Sequence, residues 1–418
     1  MLPKHFQVTR DGLLAVEGHP LQAIAERFGT PLYVVSAAAL RHAAQVQHMV
    51  VPSARPPVVC YAYKANNLPQ VCSILHSIGI GAEVSSEMEF DLAVSLKVPL
   101  SETIFNGPFK PRRALDRAVR AGIRYINADS FDELCRINEV AREAGVTASV
   151  GLRVAPTIAE ALYGWPSRFG VAASSGALQC MRDARSLESI RITGLQFHLG
   201  TNIGSVVPYE HAIAEVTELM SQATDRGLMD PDYLDVGGGF GVTPSTLRPD
   251  VEAYARSTTH ESLLERVTEC AARTLSKFGV QTRIVVEPGR RLVGNAALLL
   301  SRVVGIKSRN GQPSFVVDAG QTMVSSGLAH RIFHDVIPVR RGRSTKEVKT
   351  NLFGCLCYEA DVIALGLPLP PLSMGDVLAI MDCGAYDMGL ARSFIVPSPG
   401  VVLVDGGEIG CVRPPRGI

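Results

Sequence analysis

The chain has 418 residues, more than one hydrophobic core usually organises, so two domains, or one large α/β barrel with a smaller partner, are the starting expectation. Its 41 basic and 40 acidic residues give a formal net charge of +1 with no long run of one sign, which argues against nucleic-acid and membrane partners and leaves small-molecule chemistry open. The 9 cysteines have no regular spacing beyond the C-x-C of Cys355 and Cys357, so neither a disulfide framework nor a metal site is expected.

The opening segment MLPKHFQVTRDGLL has no apolar stretch of signal-peptide length, and no later segment reaches the roughly 20 apolar residues of a membrane span. A soluble, cytoplasmic protein is the expectation. Residues 1–30 read as a hairpin, His5 to Glu17 around Asp11-Gly12, followed by a helix near Pro20 to Phe28.

From Pro31 apolar strand-like runs alternate with helical stretches. The runs are Leu32 to Val35, Val58 to Tyr63, Thr103 to Phe105, Tyr125 to Ala128, Ala148 to Val154, Ile192 to His198, Tyr233 to Val236 and Ile284 to Glu287; helices are predicted over Ala37 to Met49, Pro111 to Ala121 and Phe131 to Ala144. Eight such strands make the count of a closed (β/α)8 barrel of the TIM type over residues 31–290, a fold that places its chemistry at strand C-termini. After about Arg290 the runs become β-rich (Leu298 to Ile306, Ser314 to Asp318, Asp335 to Arg340, Asp376 to Met381, Val401 to Asp405), so residues 291–418 are expected to form a C-terminal β-sandwich or β-barrel domain, which the N-terminal hairpin could join.

The polar residues of interest end those runs. Lys64 follows a strand in VVCYAYKANN, and a lysine so placed can form a Schiff base if burial frees its amine near neutral pH; taken alone it also fits a solvated lysine. Gly237, Gly238 and Gly239 follow YLDV, where glycines let backbone N–H groups approach an anion, or make a flexible turn. In VVEPGRR, Glu287 could hold a pyridine nitrogen protonated, with Gly289 and Arg290 available to a phosphate or carboxylate; an ordinary ion pair is the plain alternative. His198, in GLQFHLGT, could stack on a flat cofactor or be a satisfied core histidine. Cys357, in GCLCYEAD, could donate a proton or fill a core, and Tyr386, in CGAYD, could donate to phosphate or be a loop aromatic.

In order and spacing these motifs resemble the barrel-type ornithine, diaminopimelate and arginine decarboxylase family over nearly the whole chain. YAYKAN is similar to that family's cofactor-lysine motif, FHLGT to its stacking-histidine motif, DVGGGFG to its phosphate loop, EPGR to its pyridine and phosphate motif, and GCLCYEAD and CGAYD to its two C-terminal motifs. GLRVAP, SRFG and VVDAG fall in order between them.

The resemblance implies pyridoxal 5′-phosphate as cofactor. It makes Lys64 the covalent anchor, His198 the stacking ring, and Glu83 and Glu89 the family's two acids, the first supporting that histidine. Arg153 is placed near the ring hydroxyl, and Thr201, Gly237, Gly238, Gly239, Gly289, Arg290 and Tyr386 among the phosphate and substrate groups. Glu287 becomes the partner of the pyridine nitrogen and Cys357 the proton donor, supplied by the neighbouring subunit of a homodimer with shared active sites. The chain departs from diaminopimelate decarboxylases at Tyr358, where they carry glutamate, and at Ser326 and His330, where they carry arginine and tyrosine; DMGLARSFI is also more apolar than its counterpart. With Arg290 kept, and Ser326, His330, Tyr358 and Asp361 read as the substrate-facing set, the expectation is α-decarboxylation of an amino acid or conjugate other than meso-diaminopimelate, with a bulkier or less charged distal end, such as a carrier-bound amino acid or a siderophore- or antibiotic-pathway intermediate. A racemase of the related barrel type is the alternative, disfavoured because racemisation pairs the pyridine nitrogen with arginine; a non-catalytic cofactor-binding relative is a second.

Overall fold

The structure is a computed structural model that describes residues 2–48, 56–159, 167–174, 176–246, 262–309, 311–326, 332, 334–340 and 347–415. Backbone contacts divide the chain into two units, Met1–Ala43 with Val242–Thr258 and Arg290–Ile418, and Ala44–Gly241 with Thr259–Gly289.

The first unit opens with β1 (Phe6–Val8) and β2 (Leu14–Val16), antiparallel with Phe6 opposite Val16, and β3 (His19–Pro20) completes a small sheet. Helix α1 (Leu21–Phe28) buries Leu21, Ile24 and Ala25, the single stripe of an amphipathic helix. β4 (Leu32–Ser36), buried at every position, leads into α2 (Ala37–His48).

The second unit is a closed parallel barrel. Its strands are β5 (Val58–Ala62), β6 (Gly81–Val84), β7 (Thr103–Phe105), β8 (Tyr125–Ala128), β9 (Ala148–Ala155), β11 (Ile190–Gln196), β12 (Tyr233–Asp235) and β13 (Arg283–Val286), with the short β10 (Val171–Ala172) added beside β9. Pairing runs β9-β11-β12-β13-β5-β6-β7-β8, and β8 pairs β9 to close the ring. The helices between strands include α3 (Pro69–His76), α4 (Glu87–Ser95), α5 (Arg112–Arg120), α6 (Phe131–Ala144), α7 (Ala177–Asp183), α8 (Val207–Asp225) and α9 (Leu263–Lys277). Capping residues start two of them: Ser86 and Ser130 accept from the N–H of Glu89 and Glu133, each at 3.2 Å, the S-x-x-E pattern that satisfies an orphan helix donor.

The barrel interior is layered. Cys60, Ile104, Tyr125, Tyr233 and Val285 form an apolar floor, where Tyr125 and Tyr233 meet edge to face at 4.4 Å between centroids. Gly151 and Gly194 are required by the bulk of Tyr233: a Cβ at either would lie within 2.3 Å of its ring or hydroxyl. Two residues further along the strands, the inward positions turn polar, at Glu83, Asn106, Asn127 and Asp235, because side chains two apart share a face.

Two expectations are corrected here. Leu32 to Val35, expected as the first barrel strand, pairs instead with Ala297–Leu300 and Gly400–Leu403 in the other unit, and the eighth barrel strand is β6. A strand buried on both faces is apolar in either sheet, so Leu32 to Val35 carried no label of its partner, while β6, with sequence GAEV, turns a glycine and a carboxylate inward and shows no apolar run. The boundary placed at residue 31 therefore moves, since residues to Ala43 group with the β-rich unit.

That unit continues with α10 (Arg290–Val293), β14 (Ala297–Arg309), β15 (Gln312–Val317), β16 (Val336–Pro338), β17 (Val348–Phe353), β18 (Val362–Leu369), β19 (Val377–Ile380), α11 (Asp387–Leu390), β20 (Gly400–Asp405) and β21 (Glu408–Arg413). Its main sheet runs β18-β17-β15-β14-β4-β20-β21, with β19 also on β14 and β16 on β19. One core joins Phe6, Leu14 and Val16 of the hairpin to Leu298, Leu300, Ala379 and Val402, so the hairpin packs into this unit. Among the described residues no helix is long and apolar enough to cross a membrane.

Candidate active site

The C-terminal ends of the barrel strands carry a connected set of charged groups. Lys64 sits in the helical turn after β5, and its Nζ donates to Glu83 Oε2 at 2.5 Å; the lysine side chain is 38 % exposed and the glutamate fully buried, so the amine can be reached from outside while its counter-charge cannot. Glu83 Oε1 accepts from Ser85 Oγ at 2.7 Å and from Asn106 Nδ2 at 3.1 Å. Burial pushes this carboxyl up, yet the Lys64 charge and the three hydrogen bonds outweigh it and hold it below the usual range.

Asn106 Nδ2 also donates to Glu287 Oε1 at 2.5 Å, so one amide ties the two acids together. Burial, then the charge of Glu83, raises the Glu287 carboxyl, opposed by the Lys64 charge and by hydrogen bonds from Asp235 and Asn106. Asp235 lies well above the usual carboxylate range, through burial and then the charge of Glu287. The layer is anchored from below, where Tyr233 Oη donates to Asn127 Oδ1 at 2.5 Å and Asn127 Nδ2 donates to Asn106 Oδ1 at 2.8 Å.

His198, after β11, is a neutral ring. Burial, followed by the charges of Lys64 and Arg153, pushes its imidazole down to about 3, and Nδ1 accepts the Gly238 N–H at 3.2 Å. The expectation that Glu83 supports this histidine is corrected: in this structure the glutamate contacts Lys64, Ser85 and Asn106. Glu89 instead accepts the Ser85 N–H at 2.8 Å, and burial raises it to about 7. Arg153 lies half-buried beside Asp129, 3.7 Å between Nη1 and Oδ1, with its guanidinium 4.5 Å from the Phe169 ring centre.

The triple glycine follows β12. Gly237 and Gly239 have φ of 69° and 93°, and a Cβ at Gly238 would lie 2.2 Å from the Glu287 carbonyl oxygen, so the loop closes against neighbouring strand ends where no larger residue fits. Among the described residues no hydrogen bond is made to the N–H of Gly239, which leaves a donor on this loop. Thr201 lies half-buried on the loop that bears His198. Gly289 packs against Ala62 and Ala65 on either side of Lys64, where a Cβ would come within 3.0 to 3.3 Å of their methyl groups.

In the β-rich unit, Arg290 is buried with its guanidinium 5.0 Å from the ring centre of Tyr386, which adopts φ 72°. Asp387 Oδ2 accepts from Ser326 Oγ at 2.9 Å and its Oδ1 from the Ser326 N–H at 2.8 Å, while Ser326 Oγ lies 3.0 Å from His334 Nε2. Burial raises the Asp387 carboxyl, against the charges of His334 and Arg290 and the Ser326 hydrogen bonds. Cys357 is exposed in the turn between β17 and β18, and Tyr358 meets Phe394 edge to face at 5.9 Å. Asp361, expected to face substrate, is corrected: it is buried, and its oxygens accept the N–H groups of Gln321 and Leu356, each at 2.6 Å, which makes it the clamp of its own loop. His330 lies outside the described residues.

Sequence reasoning missed Asn106, Asn127, Asp235, His334 and Asp387. Strand parity could have found Asp235, two positions before Gly237 and two after Tyr233, and Asn106, which directly ends β7.

The comparisons agree with this geometry. Residues 37–294 match the family described as pyridoxal-dependent decarboxylase, pyridoxal binding domain. The diaminopimelate decarboxylase of Aquifex aeolicus is 30% identical over 413 residues, covering 97% of this chain and 93% of that protein. That of Neisseria meningitidis serogroup A is 30% identical over 408 residues, 96% of each. The crystal structure of diaminopimelate decarboxylase from M. jannaschii in co-complex with L-lysine superposes with a TM-score of 0.90 at 26% identity, covering 100% of this chain and 96% of that one. The chain belongs to the pyridoxal-dependent decarboxylases.

Proposed function

We propose that this pyridoxal-dependent decarboxylase family member anchors pyridoxal 5′-phosphate on Lys64 and removes the α-carboxyl group of an amino acid, or amino-acid conjugate, other than meso-diaminopimelate. The observation that carries the first half is the donor set at the barrel's strand ends: a solvent-reachable amine on Lys64, a buried carboxyl on Glu287, a neutral imidazole on His198, and the Gly239 N–H. Each suits one part of the cofactor, respectively its aldehyde, ring nitrogen, ring face and phosphate.

When bound, the cofactor supplies the electron sink for the carbon that loses its carboxylate. The chain's own groups do the rest. Glu83 holds the Lys64 amine in position to meet the cofactor's aldehyde. Glu287 holds a proton at the pyridine nitrogen, and the buried amide of Asn106 keeps its carboxylate oriented. Arg290 and Tyr386 are assigned to the phosphate and substrate anions, and Arg153 to the ring hydroxyl. Cys357 returns a proton to the substrate α-carbon, from the neighbouring copy of a homodimer; its exposure on a turn suits that role. Glu287 in place of a cation favours decarboxylation over racemisation.

The substrate assignment rests on Ser326, Asp387 and Tyr358. Ser326 spends its hydroxyl on Asp387 and His334, and the acid of Asp387 neighbours Arg290, so the positive charge that a distal carboxylate needs is partly compensated within the protein. A site built for one charged group rejects the wrong one by several orders of magnitude. Carbon dioxide release from meso-diaminopimelate, L-lysine, L-ornithine, L-arginine and carrier-thioester amino acids tests this. Turnover of meso-diaminopimelate at ordinary enzyme rates would overturn the substrate half. A purified protein with no visible absorbance band that borohydride bleaches and Lys64→Ala abolishes would overturn the cofactor half.

A further inference from the structure

Behind Glu287 lies a second carboxyl group that the reaction described above does not use. Asp235 is fully buried at the end of β12, its Oδ1 accepting the Gly237 N–H at 2.9 Å and its Oδ2 3.5 Å from Asn127 Nδ2. It also shares a hydrogen bond between side chains with Glu287. Resting on the cofactor reading, we infer that Asp235 is a positioning residue that keeps its own proton, donates it in a hydrogen bond to Glu287, and so holds that carboxyl ionised and aimed for the pyridine nitrogen.

Two carboxyl groups joined by a hydrogen bond need one proton between them, and the surroundings decide where it stays. Glu287 has the Asn106 amide at 2.5 Å and the charge of Lys64 on its side. Asp235 has one backbone N–H and a long contact to Asn127, while Glu83 and Glu287 both press negative potential on it. The Arg153 cation reaches it too but acts more strongly on Glu287 and Glu83 than on Asp235, and Cys60 and Tyr233 add no positive charge. The proton therefore resides on Asp235, in line with its strongly raised titration.

Three consequences follow for Glu287. The Asp235 O–H stabilises its anionic form, as a hydrogen bond to a charged group does in a dry interior. The same bond fixes the carboxylate plane together with Asn106. An uncharged Asp235 also avoids a third negative charge beside Glu83 and Glu287, which burial would make costly. Glycine-loop geometry is tied in, because Gly237 donates to Asp235 through its N–H and accepts the Glu287 N–H at 2.8 Å through its carbonyl.

The test uses holoenzyme loaded with cofactor labelled with nitrogen-15 in the pyridine ring. The ring-nitrogen chemical shift reports its protonation directly, without turnover. Asp235→Asn is isosteric, uncharged and still a donor, so its ring-nitrogen shift should match wild type from pH 6 to pH 9. Asp235→Leu lacks the donor, so its shift should move toward the unprotonated value, with cofactor affinity weakened by about tenfold or more. A displaced shift in Asp235→Asn would mean that residue 235 is normally charged and would overturn the inference, as would a wild-type shift in Asp235→Leu. Should the leucine variant not fold, as judged by circular dichroism, Asp235→Asn alone decides. Failure of wild-type protein to take up cofactor at all is a separate outcome, which overturns the preceding reading and this one with it.

Discussion

Lys64 Nζ and Glu83 Oε2 lie 2.5 Å apart, the ammonium partly open to solvent and the carboxylate wholly enclosed by the barrel. The pair is thus asymmetric: the lysine could be hydrated without the glutamate, but the glutamate cannot remain charged without the lysine or its replacement.

Lys64→Met accordingly carries two expected effects. Covalent cofactor attachment disappears, read as loss of the borohydride-sensitive band. In the apo protein, Glu83 also loses its counter-charge. Its wild-type carboxyl is depressed, so it contributes stability above the unfolded carboxylate range near pH 4 to 5, lost as pH falls through the lower folded value. In the variant the sign reverses, because burial then dominates and charging Glu83 at higher pH becomes unfavourable. Thermal melts should show Lys64→Met losing more stability relative to wild type at pH 8 than at pH 5, by about 1–3 kcal/mol.

His198 provides an opposite case. Its folded imidazole takes up a proton only near about 3, whereas an unfolded histidine does so near 6.5, so the unfolded chain binds more protons between those values. Stability contributed by the neutral ring is complete above pH 6.5 and falls as pH drops toward 3. His198→Phe, which keeps a flat ring without titration, should lose about 2 kcal/mol less between pH 7 and pH 4.5 than wild type in urea denaturation of the apo protein.

Glu287→Gln removes the carboxylate assigned to the pyridine nitrogen while keeping an amide that can still contact Asn106. Decarboxylation of the best substrate should fall by about 100-fold or more in kcat with a small change in KM, since the loss bears on charge that develops during reaction. A fall confined to KM would point to a binding role instead.

Gly238→Ala should be destructive despite its size. The added methyl meets the Glu287 backbone oxygen at 2.2 Å, so either the loop after β12 or the turn after β13 must shift. A loss of about 3 kcal/mol in folding stability is expected by chemical denaturation, together with weakened cofactor binding, because both loops bear assigned ligands.

Much of the site was legible because strand ends announce themselves locally. An apolar run that stops at a lysine, a histidine, a triple glycine or a Glu-Pro-Gly marks where backbone leaves a sheet, and Lys64, His198, Gly237 to Gly239 and Glu287 all lie there. The partner of each group was not legible. Glu83 was expected under His198 and is found on Lys64, because β5 and β6 pair with Ala62 beside Glu83, a register no local pattern specifies. Asp361 looked like a substrate group because it sits in a chemically rich motif, yet backbone donors of its own loop consume it.

Amino-acid order alone determined the alternation of strands and helices, the residues that terminate the strands and the kind of chemistry they suit, since periodicity and chain-breaking residues act over a few neighbours. Only the tertiary structure decided that Leu32 to Val35 joins the β-rich sheet, that β13 closes beside β5, and that Asn106, Asp235, Glu83 and Glu287 share one buried layer. Strand pairing and burial are choices among distant segments, and the protonation of an enclosed carboxyl depends on which charges those choices bring within a few ångströms.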